Sequence, residues 1–569
     1  MYNNICIAQN RLELESIINL LPKNKIIYFI PLSLDTFLFC KLNNIKHINF
    51  LDVLDKNFKE NLLNDYEEFE KIINFNESSF LSINIEANAA YRHTFNNISL
   101  IISILEKIYN HYNLENIYIS GWEQYEINLF SPHNYYISEI IIKFCNSKGI
   151  NSFILNKKIK YFDKNDKKYI NCTNLKNNKY ILLNSIGYNF HRLAIVALFT
   201  NLKTASIVFK KPNYLKILKY RLLNHKLIYI KENNIISINE INNTKNFYLY
   251  RDIDLTEILR KRYNQIRNHV NILENKAETI STIFKSFIFT HIFSFSTRGL
   301  DGLLLELGQI MKIETTIISH GTVSISYNNF DQKSKQIIAD AVFSGFSTFK
   351  AIQTKITQNS LNTLISRSES IITGNLIFAG TNNNKKNKYL LYCVTLKDFN
   401  SNQLFGVEFF NEFFNNLLDL NDFAKKYKFK IIIKLHPSQT HLSNELQLIF
   451  KNLIFKDKPI AYLLKNCFTL ISYSSTVIED ALTSKIPVIL YDKSNTYKHC
   501  NAETNLSIKD KAVYYVTNKY DLIIAIRTIQ SSKQINYFEY IYNDSIYRNI
   551  FTLFHKLGLV KNSIFKKVA

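Results

Sequence analysis

The stretch FTLISYSSTVIEDALTSKIPVILYD, residues 468–492, contains the pattern on which the fold prediction depends. FTLISY (468–473) is a short apolar run with a β-branched residue, bounded by polar residues, which is typical of a buried strand. SSTVIEDALTSK (474–485) has its apolar residues at helical spacing, and PVILYD (487–492) is strand-like again. A strand, helix and strand in this order predict two parallel strands joined by a crossover helix.

The same alternation extends through the last third of the chain and into the first part. YLLYCVT (389–395) and KIIIKLHP (430–437) are strand-like, and each precedes a helical pattern, near residues 405–427 and 443–451. Further strand-like runs are NKIIYFI (24–30), NIYIS (116–120), YILLNSI (180–186), THIFSFS (290–296) and TTIISH (315–320). Residues 155–280 look less regular, with a lysine-dotted helical pattern from His191 to Lys226. We therefore predict an α/β protein with parallel sheets and an irregular, helical basic insertion in the N-terminal half.

Composition excludes several classes of protein. The 569 residues are 46% hydrophobic and 21% charged, which argues against disordered and collagen-like chains. The 7 cysteines are scattered without a CxxC pair, which favours reduced thiols over a disulfide framework or a zinc site. The N-terminus lacks the layout of a signal peptide, and the most apolar stretch (279–296) is interrupted by Lys285 and His291. We expect a cytoplasmic protein, either free or peripheral at the inner face of the inner membrane.

The net charge of +23 indicates an attraction to nucleic acid, anionic lipid or phosphorylated substrates. A coding bias towards lysine is an alternative source of this charge. No zinc-finger spacing, helix-turn-helix pattern or RNA-recognition signature accompanies it, so no nucleic-acid partner is expected. The segment Lys203–Lys226 carries lysines and an arginine among apolar residues without any acid, which suggests contact with an anionic membrane. A solvated helix face is the alternative.

Polar residues directly after strand-like runs are candidate ligand contacts, because ligands of parallel α/β sheets bind beyond the carboxyl ends of the strands. An imidazole in this position can donate to a phosphate, and hydroxyl groups before a helix can face an anion. A surface histidine, an ordinary N-cap and a capping box are the alternatives. In the last third these candidates are Thr395, His436, Pro437, Ser474, Ser475, Thr476 and, one helical turn later, Glu479.

The N-terminal part offers a second group of candidates by the same rule. In STRGLDG (296–302), Asp301 is a candidate general base or nucleophile, with a helix N-cap as the alternative. Gly299 and Gly302 would let the backbone approach a ligand, and seven of the 12 glycines lie within residues 299–380. The remaining candidates are Arg298, His320 and Gly321 in SHGTVS (319–324), and Trp122 and Glu123 in SGWEQYE (120–126).

Taken together, these motifs resemble the GT-B glycosyltransferase superfamily, and most closely the bacterial capsule and surface-polysaccharide transferases that use CMP-linked sugars. In Kdo- and sialyltransferases of this kind an HP motif precedes a Ser/Thr-rich loop by a few tens of residues; here the HP motif at His436 precedes the loop at Ser474 with matching spacing. SSTVIEDALTSKIPVIL also resembles a pattern of teichoic-acid glycerophosphotransferases and UDP-GlcNAc epimerases. TGN (373–375) resembles the end of the N-terminal domain in this superfamily.

The resemblance implies two facing Rossmann-like domains with the active site between them. The expected boundaries are 1–375 for an acceptor domain with an insertion near 155–280, 376–388 for a linker, 389–535 for a nucleotide-sugar domain, and 536–569 for a C-terminal helix that crosses back.

The implied function is transfer of Kdo or sialic acid from a CMP donor to a surface polysaccharide or glycolipid, without a metal or other cofactor. Asp301, Glu123 and His320 would be catalytic, with Arg298, Gly321 and Trp122 positioning the sugar or acceptor. A CDP-glycerol-type phosphotransferase and a non-catalytic basic binding protein are the alternatives, and a retaining or an inverting mechanism stays open.

Overall fold

The structure is a computed structural model that describes most of the chain. The described residues are 3–54, 75–121, 136–155, 178–183, 190–209, 214–230, 248–297, 299–318, 347–362, 368–378, 389–394, 410–493, 498–542 and 545–561, with single residues at 58, 61, 64, 65, 68, 69, 380 and 495. Within them, three parallel sheets follow one another along the chain, so the α/β prediction is confirmed.

The first sheet has four parallel strands in the order β2-β1-β3-β4. Its strands are β1 (Asn4–Ala8), β2 (Tyr28–Pro31), β3 (Asn116–Ile119) and β4 (Asn151–Ile154). The accompanying helices are α1 (Arg11–Ile17), α2 (Leu34–Leu42), α3 (Phe50–Val53), α4 (Leu81–His111) and α5 (Ile137–Lys148). Short apolar strands such as NICIA and NIYI are buried on both faces, as expected for parallel strands covered by helices.

The second sheet has seven parallel strands in the order β13-β12-β11-β10-β5-β6-β7. Its strands are β5 (Lys179–Leu183), β6 (Lys203–Val208), β7 (His225–Tyr229), β10 (Ile288–Ser294), β11 (Glu314–Ile318), β12 (Phe349–Ile352) and β13 (Glu369–Ile372). A short antiparallel pair, β8 (Leu249–Tyr250) and β9 (Ile253–Asp254), precedes the long helix α8. The helices are α6 (Phe190–Phe199), α7 (Tyr214–Leu222), α8 (Thr256–Ser286), α9 (Gly299–Ile310) and α10 (Lys355–Asn362).

The third sheet has six parallel strands in the order β16-β15-β14-β17-β18-β19. Its strands are β14 (Tyr389–Cys393), β15 (Ile431–Lys434), β16 (Leu453–Phe455), β17 (Cys467–Ser472), β18 (Val488–Tyr491) and β19 (Val513–Val516). The helices are α11 (Phe410–Tyr427), α12 (Ser443–Ile449), α13 (Ile460–Leu464), α14 (Val477–Thr483), α15 (Lys519–Ser531) and α16 (Ile546–Lys556). Every strand predicted in this part of the sequence is present.

The second and third sheets share one winding. In each, the first strand in sequence lies in the interior, the next two extend to one side, and the fourth pairs on the other side. This is the doubly wound order 3-2-1-4-5-6, in which the strand order reverses next to the first strand. The reversal lies between β5 and β10 in the seven-stranded sheet, and between β14 and β17 in the six-stranded sheet.

The predicted helical insertion is the main correction. Residues 203–208 and 225–229, expected to be helical, form β6 and β7 at one side of the seven-stranded sheet. Lys203 is exposed and Lys226 is half-buried near the N-terminal ends of these strands, while Thr204 and Ser206 are buried and bond to His225. These polar residues interrupt the apolar run that is typical of a buried strand. Their hydrogen-bond partners lie on the neighbouring strand, so the local sequence does not show that they are satisfied.

The expected boundaries of the units stay predictions, and two observations concern them. The range 1–375, expected to be one domain, holds two separate sheets. Leu376, Ile377 and Phe378, expected to begin a linker, are buried in a cluster with α6 and α16, while 381–388 lie outside the described residues. Helix α16 packs on the seven-stranded sheet, where the Phe554 ring lies 5.7 Å from that of Phe293.

Two further observations concern thiols and membrane spans. The cysteines of the described part, six in number, are free. Among the described helices, none is long and apolar enough to cross a bilayer.

Candidate functional site

The strand order of the six-stranded sheet reverses between β14 and β17, and we call the carboxyl edge of the sheet at this reversal its crevice. Ligands of doubly wound sheets bind at this reversal of strand order. Ser474 follows β17 and His436 follows β15, and each of these strands pairs with β14. Two strand spacings separate the ends of β15 and β17, about 10 Å, so one phosphate-containing ligand can reach both residues.

In this crevice, the burial and bonding of the Ser474 hydroxyl suggest a ligand contact. Ser474 is 5% exposed, and within the described part of the chain its buried Oγ has no hydrogen-bond partner. A buried hydroxyl that makes no hydrogen bond costs free energy, and a ligand or an ordered water at this edge of the sheet would remove that cost. The neighbouring Ser472 Oγ donates to the Cys393 carbonyl at 2.6 Å and ties β17 to β14.

His436 presents a hydrogen-bond donor outward. Its Nδ1 accepts from Ser438 N at 3.4 Å and lies 2.7 Å from Ser438 Oγ. With Nδ1 used as an acceptor, the neutral ring carries its proton on Nε2. Partial burial, together with Lys434, lowers the pKa of His436, so the neutral form is favoured. Pro437 starts the 3₁₀ turn Pro437–Leu442 that fixes this orientation.

Ser475 and Thr476 lead into the short helix α14. The Ser475 side chain accepts weakly from Val477 N at 3.4 Å, and Thr476 makes no capping bond with its side chain. The capping box that the sequence allowed therefore does not form, because the Glu479 side chain accepts hydrogen bonds from Thr354 and Thr357 instead.

Glu479 lies in a contact between the sheets. It is fully buried, and its Oε1 accepts from Thr354 Oγ1 at 2.9 Å and from Thr357 Oγ1 at 3.1 Å. Thr354 follows β12 of the seven-stranded sheet, so the carboxyl edges of both doubly wound sheets meet at this carboxylate. A role of Glu479 in donor binding stays a prediction, and the contact gives it a structural role as well.

In the seven-stranded sheet the strand order reverses between β5 and β10, and we use the same term for its carboxyl edge there. Asp301 follows β10, in the first turn of α9. Gly302 allows a close approach in this turn, because a Cβ atom at that position would lie 2.2 Å from the Thr297 carbonyl oxygen. Gly299 has a φ of +51°, which glycine adopts without strain. Asp301 therefore lies in a closely packed turn that follows β10.

Six of the predicted site residues lie outside the described part of the chain: Trp122, Glu123, Arg298, His320, Gly321 and Thr395. Their roles stay predictions. In the described ranges, no group of three or more His, Cys, Asp or Glu side chains is placed to hold a metal ion.

Two residues near the crevices were missed in the sequence. His499 Nε2 donates to the Tyr473 carbonyl at 2.7 Å and so holds the backbone before Ser474. Its Nδ1 lies 2.8 Å from Cys500 Sγ, and burial, with nearby Glu479, raises the pKa of that thiol, so it stays protonated as a donor. His499 follows β18 by several residues, so only a wider search after each strand would have found it.

Glu86 is the second missed residue. It is 8% exposed on α4, and its Oε1 would lie 3.9 Å from a Cβ atom at Gly299. The carboxylate therefore borders the turn that carries Asp301. The signal was a charged residue within the largely buried helix Leu81–His111.

Comparisons with known proteins give similarity at low identity. No protein-family model matches the chain, and no curated protein matches it. The UDP-GlcNAc 2-epimerase of Neisseria meningitidis, solved with UDP-GlcNAc, is 13% identical over 67% of this chain and 99% of its own, with a TM-score of 0.42.

Two other solved structures are similar to a comparable extent. Anabaena HepE in complex with UDP and glucose is 10% identical over 68% of this chain and 97% of its own, with a TM-score of 0.36. The wall teichoic acid polymerase TagF is 12% identical over 70% of this chain and 91% of its own, with a TM-score of 0.37. At these scores the similarity assigns no activity to the chain.

Proposed function

We propose that this protein is a glycosyltransferase that moves an acidic sugar from a CMP-activated donor to a glycan or glycolipid acceptor. The observation that carries the proposal is the buried Ser474 hydroxyl, which has no hydrogen-bond partner among the described residues and lies at the reversal of strand order in the six-stranded sheet. The order and spacing of the HP motif and the Ser/Thr-rich loop supply the choice of a CMP-linked donor.

In the proposed reaction the six-stranded crevice holds the nucleotide. Ser474 Oγ donates to a phosphate oxygen, and His436 Nε2–H donates to the phosphate that leaves with CMP, which stabilises the charge that develops on it. Asp301, from the facing crevice, accepts the proton of the acceptor hydroxyl or attacks the sugar as a nucleophile. The configuration of the product distinguishes these two roles of Asp301.

The nucleotide site is tested by titrating CMP, CDP, UDP and GDP into the purified full chain. CMP or a CMP-sugar is expected to bind best. Ser474→Ala and His436→Gln should each weaken CMP binding by about 10- to 100-fold, the usual loss for a hydrogen bond to a charged group. Wild-type protein that binds none of these nucleotides would overturn the proposal.

Matched controls are available on the same sheet. Thr469 lies on β17 away from the crevice, and its buried Oγ1 also has no hydrogen-bond partner in the described ranges. Thr469→Val should therefore leave CMP affinity unchanged. His441→Gln alters an exposed histidine in the turn after His436 and should also be silent.

The reaction is tested separately by its products. Asp301→Asn should reduce turnover while the dissociation constant of CMP stays the same. Release of CMP with transfer of the sugar supports the proposal. Transfer of a glycerol phosphate group with release of CMP would instead show a CDP-glycerol-type phosphotransferase, and DNA binding without nucleotide affinity would show a non-catalytic protein.

A further inference from the structure

Helix α7 (Tyr214–Leu222) has an unusual surface. Leu215 and Leu222 are each 74% exposed and Tyr214 is 75% exposed, while Leu218 is 44% exposed. Large apolar side chains with so much exposed area, side by side on one short helix, mark an interaction surface more often than an ordinary solvated face.

The helix is apolar on two opposite sides. Tyr220 is buried, with its ring 5.5 Å from that of Phe190, and so anchors α7 to the seven-stranded sheet. With about 100° per residue, Tyr214, Leu215, Leu218 and Leu222 share a sector of about 100° on the side away from Tyr220. The anchor thus holds the exposed stripe outward.

Cations flank this stripe. Lys219 and Lys216 follow on one side of the sector and Arg221 on the other, and all three are exposed. The segment from Lys203 to Lys226 contains no acidic residue. A helix with an apolar stripe between cations matches the boundary of an anionic bilayer, where apolar side chains enter the acyl region and cations meet the headgroups.

The location of α7 suits such a contact. The helix connects β6 and β7, at one edge of the seven-stranded sheet. The contact to the six-stranded sheet, through Thr354 and Glu479, lies near β12 towards the other edge. A bilayer against α7 therefore leaves the contact between the two sheets free.

We propose that the stripe formed by Tyr214, Leu215, Leu218 and Leu222, with Lys216, Lys219 and Arg221, docks this protein on an anionic lipid bilayer. This inference goes beyond the proposed reaction and does not depend on it, because binding is measured without donor or acceptor.

The experiment is cosedimentation of the full chain with vesicles made of two parts phosphatidylethanolamine and one part phosphatidylglycerol, and with vesicles of pure phosphatidylcholine. Wild type should partition onto the anionic vesicles at least about tenfold more strongly, and less so as salt is raised. Leu215→Asn combined with Leu222→Asn should lower binding about tenfold or more at every salt concentration. Lys216→Gln combined with Lys219→Gln should lower it mainly at low salt.

Matched controls separate the stripe from the overall charge. Leu448→Asn alters a leucine that is 66% exposed on α12, and Lys425→Gln with Lys426→Gln removes two positive charges from α11. Both should bind vesicles like wild type. Because the altered residues are exposed, every variant should keep the wild-type melting temperature.

Three results would overturn the proposal. One is the absence of vesicle binding by wild type, and another is an equal loss in the control variants, which would assign binding to net charge alone. The third is tight binding of a DNA duplex that depends on Lys216 and Lys219 but displaces no vesicle, which would assign the surface to nucleic acid.

Discussion

The seven-stranded and six-stranded sheets share a strand order but differ in how the same turn is built. After the fourth strand of the winding, the seven-stranded sheet uses the glycines Gly299 and Gly302, and the six-stranded sheet uses Ser474, Ser475 and Thr476. The first turn positions a carboxylate through close backbone packing, and the second presents hydroxyl groups. Under the proposed function, one topology supplies the Asp301 carboxylate on one side and hydroxyl groups for an anion contact on the other.

The two sheets also bury different titratable groups. The seven-stranded sheet buries His225 and His291, which bond to hydroxyls of neighbouring strands. The six-stranded sheet buries Tyr392, Cys393 and Cys467, and burial raises the pKa of each of them. The groups of the six-stranded sheet are neutral in acid, whereas the histidines gain charge there.

The largest expected effect is therefore a loss of stability in acid that is greater in the seven-stranded sheet than in the six-stranded sheet. Burial lowers the pKa of His225 to about 4 and that of His291 to about 3, against 6.5 in the unfolded chain. Below pH 6.5 the unfolded chain binds protons that the folded chain does not, so the free energy of unfolding falls until about pH 4 and then pH 3. For His225 alone the loss amounts to about 3 kcal/mol.

Hydrogen exchange at pH 7.5, 5.5 and 4.5 measures this effect sheet by sheet. Peptides from β5 to β7 should lose protection before peptides from β14 to β17. His225→Gln should reduce the loss, and His441→Gln should not. Equal loss of protection in both sheets would contradict the prediction that acid destabilises the seven-stranded sheet first.

The next effect concerns the glycine turn. A Cβ atom at residue 302 would lie 2.2 Å from the Thr297 carbonyl oxygen, so Gly302→Ala must displace the backbone that carries Asp301. We expect a loss of about 1–3 kcal/mol in the free energy of unfolding, measured with urea, and a loss of turnover. In the equivalent hydroxyl turn, Ser475→Ala removes only a long bond to Val477 N and should be nearly neutral in stability. If Gly302→Ala changed neither the free energy of unfolding nor turnover, the two turns would not differ in their tolerance of substitution.

The smallest expected effect is a difference in CMP affinity between alanine variants of two serines. These serines, Ser472 and Ser294, are the last residues of the equivalent strands β17 and β10. Ser472 Oγ bonds across the crevice to the Cys393 carbonyl, while Ser294 Oγ bonds within its own turn to Ser296 at 2.8 Å. Replacing either with alanine should cost about 1 kcal/mol of stability. Only Ser472→Ala should also weaken CMP binding, as titration calorimetry can show. Equal CMP affinity in both variants would mean that the hydrogen bond from Ser472 to the Cys393 carbonyl does not affect nucleotide binding.

Strands β14, β15, β17 and β18 of the six-stranded sheet were predictable because they are short apolar runs next to helical patterns. Strands β16 and β19 of the same sheet were not predicted. His436 and Ser474 were chosen as candidate ligand contacts because ligands of parallel sheets bind beyond the carboxyl ends of the strands. Strands β6 and β7 were not predictable in this way, because Thr204, Ser206 and His225 satisfy one another only after the strands have paired. Whether the range 1–375 forms one sheet or two also depends on pairing between distant segments, which periodicity does not encode.

The missed site residues have similar causes. His499 acts through the Tyr473 carbonyl of another loop, and Glu86 reaches the Gly299 turn from a helix that is far away in sequence. Neither contact has a local signature. The helical interpretation of Lys203–Lys226 was right only for α7, which is also where the exposed apolar stripe lies.

Helix α16 has a consequence for the order in which the chain matures. It packs on the seven-stranded sheet, with Asn549 Nδ2 donating to the Asn375 carbonyl at 3.0 Å and Lys556 Nζ to the Ile372 carbonyl at 2.9 Å. Since chains emerge from the ribosome N-terminus first, the seven-stranded sheet waits with an uncovered apolar face until the whole six-stranded sheet has been synthesised. A ribosome that stalls within the range 389–535 would therefore hold a nascent chain that needs a chaperone at Ile181, Leu183 and Phe293.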